Sequence, residues 1–154
     1  MSAFYRNWLN LWAWGVIAFG AILALFAFPA TDLPSRLFFD LIQQPVPAEP
    51  DRFFRFTMGL MGCISMGWGL TMRVCFKAAA LLEGEQARTI WRGFTFAALF
   101  WFATDSFASI YTGFALNAVS NAVLIGLYLI PVFSSGVLKS AQPLPGASPP
   151  LHAR

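Results

Sequence analysis

Long apolar runs without charges alternate along the chain with short charged stretches. Positions 7–31 and 116–138 carry no charged residue, 56–72 are bounded by an arginine at each end, and 93–112 contain a single charge. About 20 helical residues cross the roughly 30 Å of hydrocarbon in a bilayer. The run 56–72 reaches that length if the flanking arginine side chains extend to the headgroups. The pattern predicts an all-α integral membrane protein, a bundle of four transmembrane helices near residues 8–28, 54–76, 89–112 and 116–137.

The segments outside these runs contain most of the prolines. Positions 29–53 hold five of them, and the stretch SRLFFDLIQQ at 35–44 places its apolar side chains on one helical face. This predicts a short amphipathic helix in the first external loop, either lying on the membrane surface or packed on the bundle as a lid. Positions 140–154 hold four more prolines without an apolar period. They are predicted to form a disordered cytoplasmic tail.

Composition and charge support a multi-pass membrane protein with a defined orientation. Of 154 residues, 58% are hydrophobic and 11% charged, whereas soluble domains carry about 25% charged residues. Three basic residues flank one side of the four runs, namely Arg36, Arg52 and Arg55, and seven flank the other, namely Arg6, Arg73, Lys77, Arg88, Arg92, Lys139 and Arg154. By the positive-inside rule, both termini are expected in the cytoplasm, with the helices in a bacterial inner (plasma) membrane. The basic residues are scattered along the helix ends, so membrane lipids and not nucleic acid are the expected partners.

Small residues recur along the second run. Gly59, Gly62, Gly67 and Gly69 follow one another at short intervals. In lipid, helices associate largely by close packing, and small residues allow two backbones to approach. These glycines predict that the second transmembrane helix is the most tightly packed.

Asp105 is the one charged residue between Arg92 and Lys139. A carboxylate inside the membrane costs roughly 2.5–3.5 kcal/mol on insertion scales, so it is expected to face polar partners in the bundle interior. Ser109 lies one helical turn further along the same face, and Asn117 and Asn121 share a face across the hairpin. Arg55, at the outer end of the second run, is expected to reach inward and complete the cluster.

Two interpretations of this cluster stay open. In the first, hydrogen bonds between Asp105 and Asn121 fix the helix register. In the second, Asp105 binds a proton or cation in a small-solute transporter, since ionisable residues inside a membrane commonly mark transport pathways.

Several kinds of chemistry lack the residues that they need. The single histidine is His152, in the tail, so neither haem ligation nor a histidine metal site in the bundle is expected. Cys63 and Cys75 lie on one helix about 18 Å apart and cannot bridge each other. No cofactor is expected, and an enzyme is the class that the sequence supports least. The leading hypothesis is a non-enzymatic subunit, scaffold or lipid-associated factor, as a homo-oligomer or in a larger complex; the alternative is the transporter.

The stretch RFFRFTMGLMGCISMGWGL at 52–70 and the hairpin around Asp105 carry a resemblance to known proteins. With the proline-bounded loop before them, they resemble the DoxX-like and related small four-helix bacterial membrane proteins. That resemblance implies a helical bundle in the inner membrane. It implies no particular activity, because the activity of those families is mostly undefined.

Overall fold

The chain is all-α throughout the described residues, 1–41 and 46–139, of a computed structural model. The helices are α1 Ala3–Leu25, α2 Leu33–Leu41, α3 Arg52–Leu81, α4 Gly84–Tyr111 and α5 Ala115–Ser135, with a short 3₁₀ turn, Pro29–Thr31, before α2. Three of them, α1, α4 and α5, are long and apolar enough to cross a membrane. The prediction of a multi-pass helical membrane protein is confirmed at this level.

The four long helices pack in an antiparallel arrangement. α1 packs mainly on α3, α3 also contacts α4, α4 contacts α5, and α5 contacts α1. The direction follows from successive contacts: Gly62 of α3 meets Gly20 of α1, and the later Gly69 meets the earlier Ile17. In the same way, Thr95 of α4 meets Tyr128 of α5, and the later Asp105 meets the earlier Asn121. Two short connections, between α3 and α4 and between α4 and α5, leave little choice but an antiparallel neighbour.

Glycines bring the backbones of α1 and α3 together. A Cβ on Gly62 would lie 2.5 Å from the carbonyl oxygen of Gly20, and one on Gly59 would lie 2.8 Å from the Cβ of Ala27. A Cβ on Gly69 would lie 2.6 Å from Cγ1 of Ile17 in α1. Gly67 is different, because its Cβ would meet no atom within 4 Å. The structure therefore places three of the four predicted packing glycines, and not Gly67, in the interface.

An aromatic cluster forms the interior at the end of the bundle where α1 begins. Phe76 of α3 stacks on Trp91 of α4 and on Tyr128 of α5, with ring centroids 5.5 Å and 6.3 Å apart. Trp12 of α1 packs against the same tyrosine, whose hydroxyl lies 2.8 Å from Thr95 Oγ1. Each of the four long helices contributes to this cluster, which joins them into one core.

The loop helix α2 packs on α1 and also leaves apolar residues exposed. Ser35 donates a hydrogen bond to the carbonyl of Ile22, and the ring of Phe38 lies 5.4 Å from that of Phe19. Leu37 and Leu41 point away and are exposed. The packed side fits the lid interpretation of this segment. The remainder of the predicted helix at 42–44, like the tail at 140–154, lies outside the described residues.

Trp8 compensates for a backbone hydrogen bond that α5 lacks. Pro131 is inside α5 and has no N–H, so the carbonyl of Leu127 loses its usual helical donor. The indole nitrogen Nε1 of Trp8 donates to that carbonyl at 2.8 Å. This tryptophan therefore makes a specific hydrogen bond between α1 and α5.

We expect Trp8→Phe to lower the free energy of unfolding by about 0.5–1.5 kcal/mol, the usual net value of a hydrogen bond. The phenyl ring of phenylalanine keeps part of the indole packing while it removes the N–H donor. In a Pro131→Ala background, the alanine N–H can bind the Leu127 carbonyl, and the cost of Trp8→Phe should become smaller. Unfolding in detergent of the four variants of this cycle measures the difference; equal costs in both backgrounds would show that the indole N–H does not replace the missing donor.

Candidate functional site

The hairpin between α4 and α5 positions the predicted polar cluster. α4 ends at Tyr111, Gly113 has φ +87°, and α5 begins at Ala115. A positive φ is the left-handed region that glycine adopts without strain. The amide of Phe114 closes the turn by donating to the carbonyl of Ser109 at 2.7 Å. This tight turn brings the last two turns of α4 against the first two turns of α5.

Asp105 of α4 and Asn121 of α5 are hydrogen-bonded to each other. Asn121 Nδ2 lies 2.8 Å from Asp105 Oδ2 and 3.4 Å from Ser106 Oγ. Asn121 is 3% exposed, and Asp105 is half-buried. The amide thus donates to a carboxylate in an interior setting, where such a bond is stronger than in water.

A second link between the helices lies one turn nearer the hairpin. Asn117 Nδ2 donates to Ser109 Oγ at 2.8 Å, and that hydroxyl donates to the backbone carbonyl of Asp105 at 2.7 Å. Ser109 therefore bonds the backbone of Asp105 and not its carboxylate. The structure thus brings four of the predicted residues together in two neighbouring links between α4 and α5: Asp105, Ser109, Asn117 and Asn121.

Arg55 is not part of that cluster, in contrast to the sequence-based expectation. Its guanidinium Nη1 lies 3.0 Å from Asp32 Oδ2 and donates to the carbonyl of Phe26 at 3.0 Å. Asp32 directly precedes α2, in the connection between α1 and α3. The connection after α1 folds back over the end of that helix and places Asp32 next to Arg55. Arg55 therefore pairs with Asp32 and not with the cluster on α4 and α5.

Asp32, Arg36 and Arg55 form a compact ion-pair cluster where α1, α2 and α3 meet. Arg36 Nη2 lies 3.1 Å from Asp32 Oδ2, the oxygen that also binds Arg55. Both guanidinium groups lie over the ring of the buried Phe26. Hydrogen bonding from Arg36, and next from Arg55, holds the pKa of the Asp32 carboxyl below its ordinary value of 3.8, although burial acts in the opposite direction.

The chemistry available at Asp105 is limited by its surroundings. No group of three or more histidine, cysteine or acidic side chains that could hold a metal ion occurs within residues 1–41 and 46–139. Asp105 accepts a side-chain hydrogen bond through Oδ2. The arrangement can hold two helices in register, and its remaining carboxylate oxygen can accept a proton or a small cation.

The chain matches no family model, and comparison with curated proteins and with solved structures finds no match. The resemblance to the DoxX-like families therefore stays a prediction.

Proposed function

We propose that α3 is the fourth membrane span and that both termini lie in the cytoplasm of a bacterial cell. α3 has 30 residues, about 45 Å of helix, and packs antiparallel to α1. Its flanking arginines have partners at their own ends: Arg55 binds Asp32, while Arg73 binds Asn10 at 3.1 Å. Its four basic residues and its glycines make it less apolar than α1, and three of the glycines face α1.

Cysteine labelling with a membrane-impermeant maleimide tests this topology. In a background with Cys63→Ala and Cys75→Ala, single substitutions Ser2→Cys, Ala48→Cys, Glu83→Cys and Lys139→Cys report one connection or terminus each. Intact spheroplasts should label only Ala48→Cys, and permeabilised cells should label all four. Labelling of both Ala48→Cys and Glu83→Cys from outside would show that α3 does not cross the membrane.

We propose that the protein is a non-enzymatic membrane subunit or scaffold in which Asp105 has a structural role. The observation that carries this proposal is the hydrogen bond between Asp105 and Asn121, with the parallel link through Ser109 and Asn117. Both links run from α4 to α5, so the polar residues of this region serve to hold the hairpin together. Hydrogen-bonded pairs of this kind stabilise membrane helix contacts by about 0.6 kcal/mol on average.

A transporter built around Asp105 is the second candidate. In the described part of the chain, no group donates a hydrogen bond to the carboxylate oxygen Oδ1, and the residue is half-buried. A half-exposed carboxylate inside a bilayer is a place where a proton or cation can bind and leave.

Proton flux into proteoliposomes under an imposed pH gradient separates the two candidates. If the role of Asp105 is structural, we expect the same proton flux in liposomes that contain the wild type and in liposomes that contain the Asp105→Asn variant. A flux that the wild type supports and Asp105→Asn abolishes, while Ser120→Ala on the exposed side of α5 leaves it intact, would support the transporter. Absence of flux together with recovery of the chain in a larger complex in mild detergent fits the subunit.

A further inference from the structure

A cavity of about 530 Å³ opens at the end of the bundle where α1 begins, α3 ends and α4 begins. The segment that follows α5 closes its remaining side with Val137 and Lys139. Sites for small molecules typically enclose about 300–1,000 Å³, so the cavity has the size of a ligand site. It lies at the opposite end of α3 from the ion-pair cluster around Asp32.

Every charged side chain in the lining of this cavity is basic. No aspartate or glutamate lies among the lining residues. The five basic residues come from α1, α3, α4 and the segment after α5: Arg6, Arg73, Lys77, Arg88 and Lys139. Positive charges that share a cavity next to a low-dielectric helix bundle repel one another and raise the potential at its centre. An anion in the cavity would offset that repulsion.

Most of these charges have no carboxylate to neutralise them. Arg88 is paired with Glu85 at 2.7 Å. Arg73 is held by Asn10 and lies 4.1 Å over the ring of Trp14, contacts that orient a guanidinium without cancelling its charge. In the part of the chain that the structure describes, the remaining three form no ion pair: Arg6, Lys77 and Lys139.

Apart from Asn7 and Asn10, most of the remaining lining is apolar. Leu9 and Trp91 are buried, and Trp91 stacks on Phe76, which also lines the cavity. The site thus combines cationic groups with an apolar wall. A phosphate attached to an organic group, charged at one end and apolar at the other, matches both parts. Guanidinium and ammonium groups are the usual protein partners of phosphate oxygens.

We propose that this cavity binds a phosphate group, carried either by an anionic phospholipid of the cytoplasmic leaflet or by a soluble phosphorylated anion. The lipid source rests on the proposed function, since the proposed topology places the cavity at the cytoplasmic membrane surface. The phosphate chemistry itself rests only on the five cations and the apolar wall.

Thermal unfolding of the full-length chain in a neutral detergent tests the proposal. One arm adds detergent-solubilised phosphatidylglycerol, with phosphatidylcholine as the neutral comparison. The second arm adds inorganic phosphate, with chloride at the same ionic strength. A ligand that binds only the folded state raises the unfolding temperature in proportion to its affinity and concentration.

Lys77→Gln and Lys139→Gln are the informative variants, because both side chains are exposed and their loss removes charge without disturbing the core. Arg52→Gln is the matched control: it removes one exposed cation near the other end of α3, outside the cavity. We expect each cavity variant to bind about fivefold more weakly than the wild type, as for one basic residue near an anionic surface. The control should bind like the wild type.

The two arms distinguish the source of the phosphate. Stabilisation by phosphatidylglycerol alone, reduced in both cavity variants, supports a lipid headgroup. Stabilisation by inorganic phosphate beyond chloride, with the same variant effects, supports a soluble ligand. Absence of stabilisation in both arms, or equal effects in Arg52→Gln and the cavity variants, overturns the proposal. The assay involves neither membrane orientation nor flux, so its failure would leave the topology and subunit proposals standing, and failure of those would leave the binding result unchanged.

Discussion

Gly62→Ala is expected to destabilise the protein by about 1–3 kcal/mol, the range for forcing an extra methyl group into a well-packed interface. The added Cβ would lie 2.5 Å from the Gly20 carbonyl oxygen and 2.7 Å from the Ala24 Cα. These are backbone atoms, so no change of rotamer can make room. The helices α1 and α3 would have to move apart, and theirs is the most extensive helix–helix interface in the described part of the chain.

Gly67→Ala provides the matched control on the same helix. Apart from the nearby backbone of α3 itself, no atom lies within 4 Å of the position where its Cβ would be built. Replacing glycine by alanine in a helix removes backbone freedom from the unfolded chain and is otherwise favourable by roughly 0.5–1 kcal/mol. We therefore expect Gly67→Ala to be neutral or slightly stabilising when unfolding in detergent is compared. A similar loss of stability in both variants would show that α1 and α3 are not in close backbone contact at Gly62.

Asp32→Asn is expected to destabilise the protein at neutral pH more than Glu85→Gln does. Asp32 Oδ2 accepts from two guanidinium groups, and its side chain is 12% exposed, whereas the Glu85 side chain is 65% exposed and its partners lie on its own helix. Removing the carboxylate leaves Arg36 and Arg55 close together over one phenylalanine ring, without the charge that balances them. An exposed pair contributes little by comparison.

The difference between wild type and Asp32→Asn should depend on pH in a defined direction. The pKa of Asp32 is lower in the folded protein than its ordinary value of 3.8, so folding favours the ionised carboxylate. The resulting stabilisation is complete above 3.8 and is lost as the pH falls through the lower, folded-state pKa. Unfolding measured from neutral to strongly acidic pH should show the two proteins converging in acid. A constant difference, or equal stability at neutral pH, would contradict the assigned ion pairs.

The sequence predicts the helices well because their boundaries depend on local features. Long apolar runs define the predicted segments, and each predicted segment overlaps a helix of the structure. The helices extend several residues beyond the predicted limits at some ends, as α3 does at Leu81. Charged residues can continue a helix beyond its apolar run. The apolar run alone therefore does not predict where such a helix ends.

The candidate site could be predicted where it depends on helical spacing within one hairpin. Ser109 follows Asp105 by one turn, and Asn117 and Asn121 enter from the other side of a three-residue turn, so proximity follows from helical geometry. The partner of Arg55 could not be predicted this way. It depends on how the connection between α1 and α3 folds back to place Asp32, which spacing along the chain does not encode.

The distinction among the glycines also required the structure. Small residues at three- and four-residue intervals indicate a packing face, but Gly67 lies off the face that Gly59, Gly62 and Gly69 share. Gly20 of α1, which the sequence-based list lacks, lies opposite Gly62 in this close contact. The rotation of α3 about its own axis relative to α1 decides which glycines lie in the interface.

The free-energy coupling between Asp105 and Asn121 is the most direct test of the structural role proposed for this cluster. It is obtained from the unfolding in detergent of the wild type, Asp105→Ala, Asn121→Ala and the double variant. We expect both single variants to be less stable and the pair to be coupled by about 0.6 kcal/mol, with about 1.7 kcal/mol as the upper range for such bonds. Zero coupling, with single variants at least as stable as the wild type, would contradict the structural role and indicate that Asp105 is retained for a function other than stability.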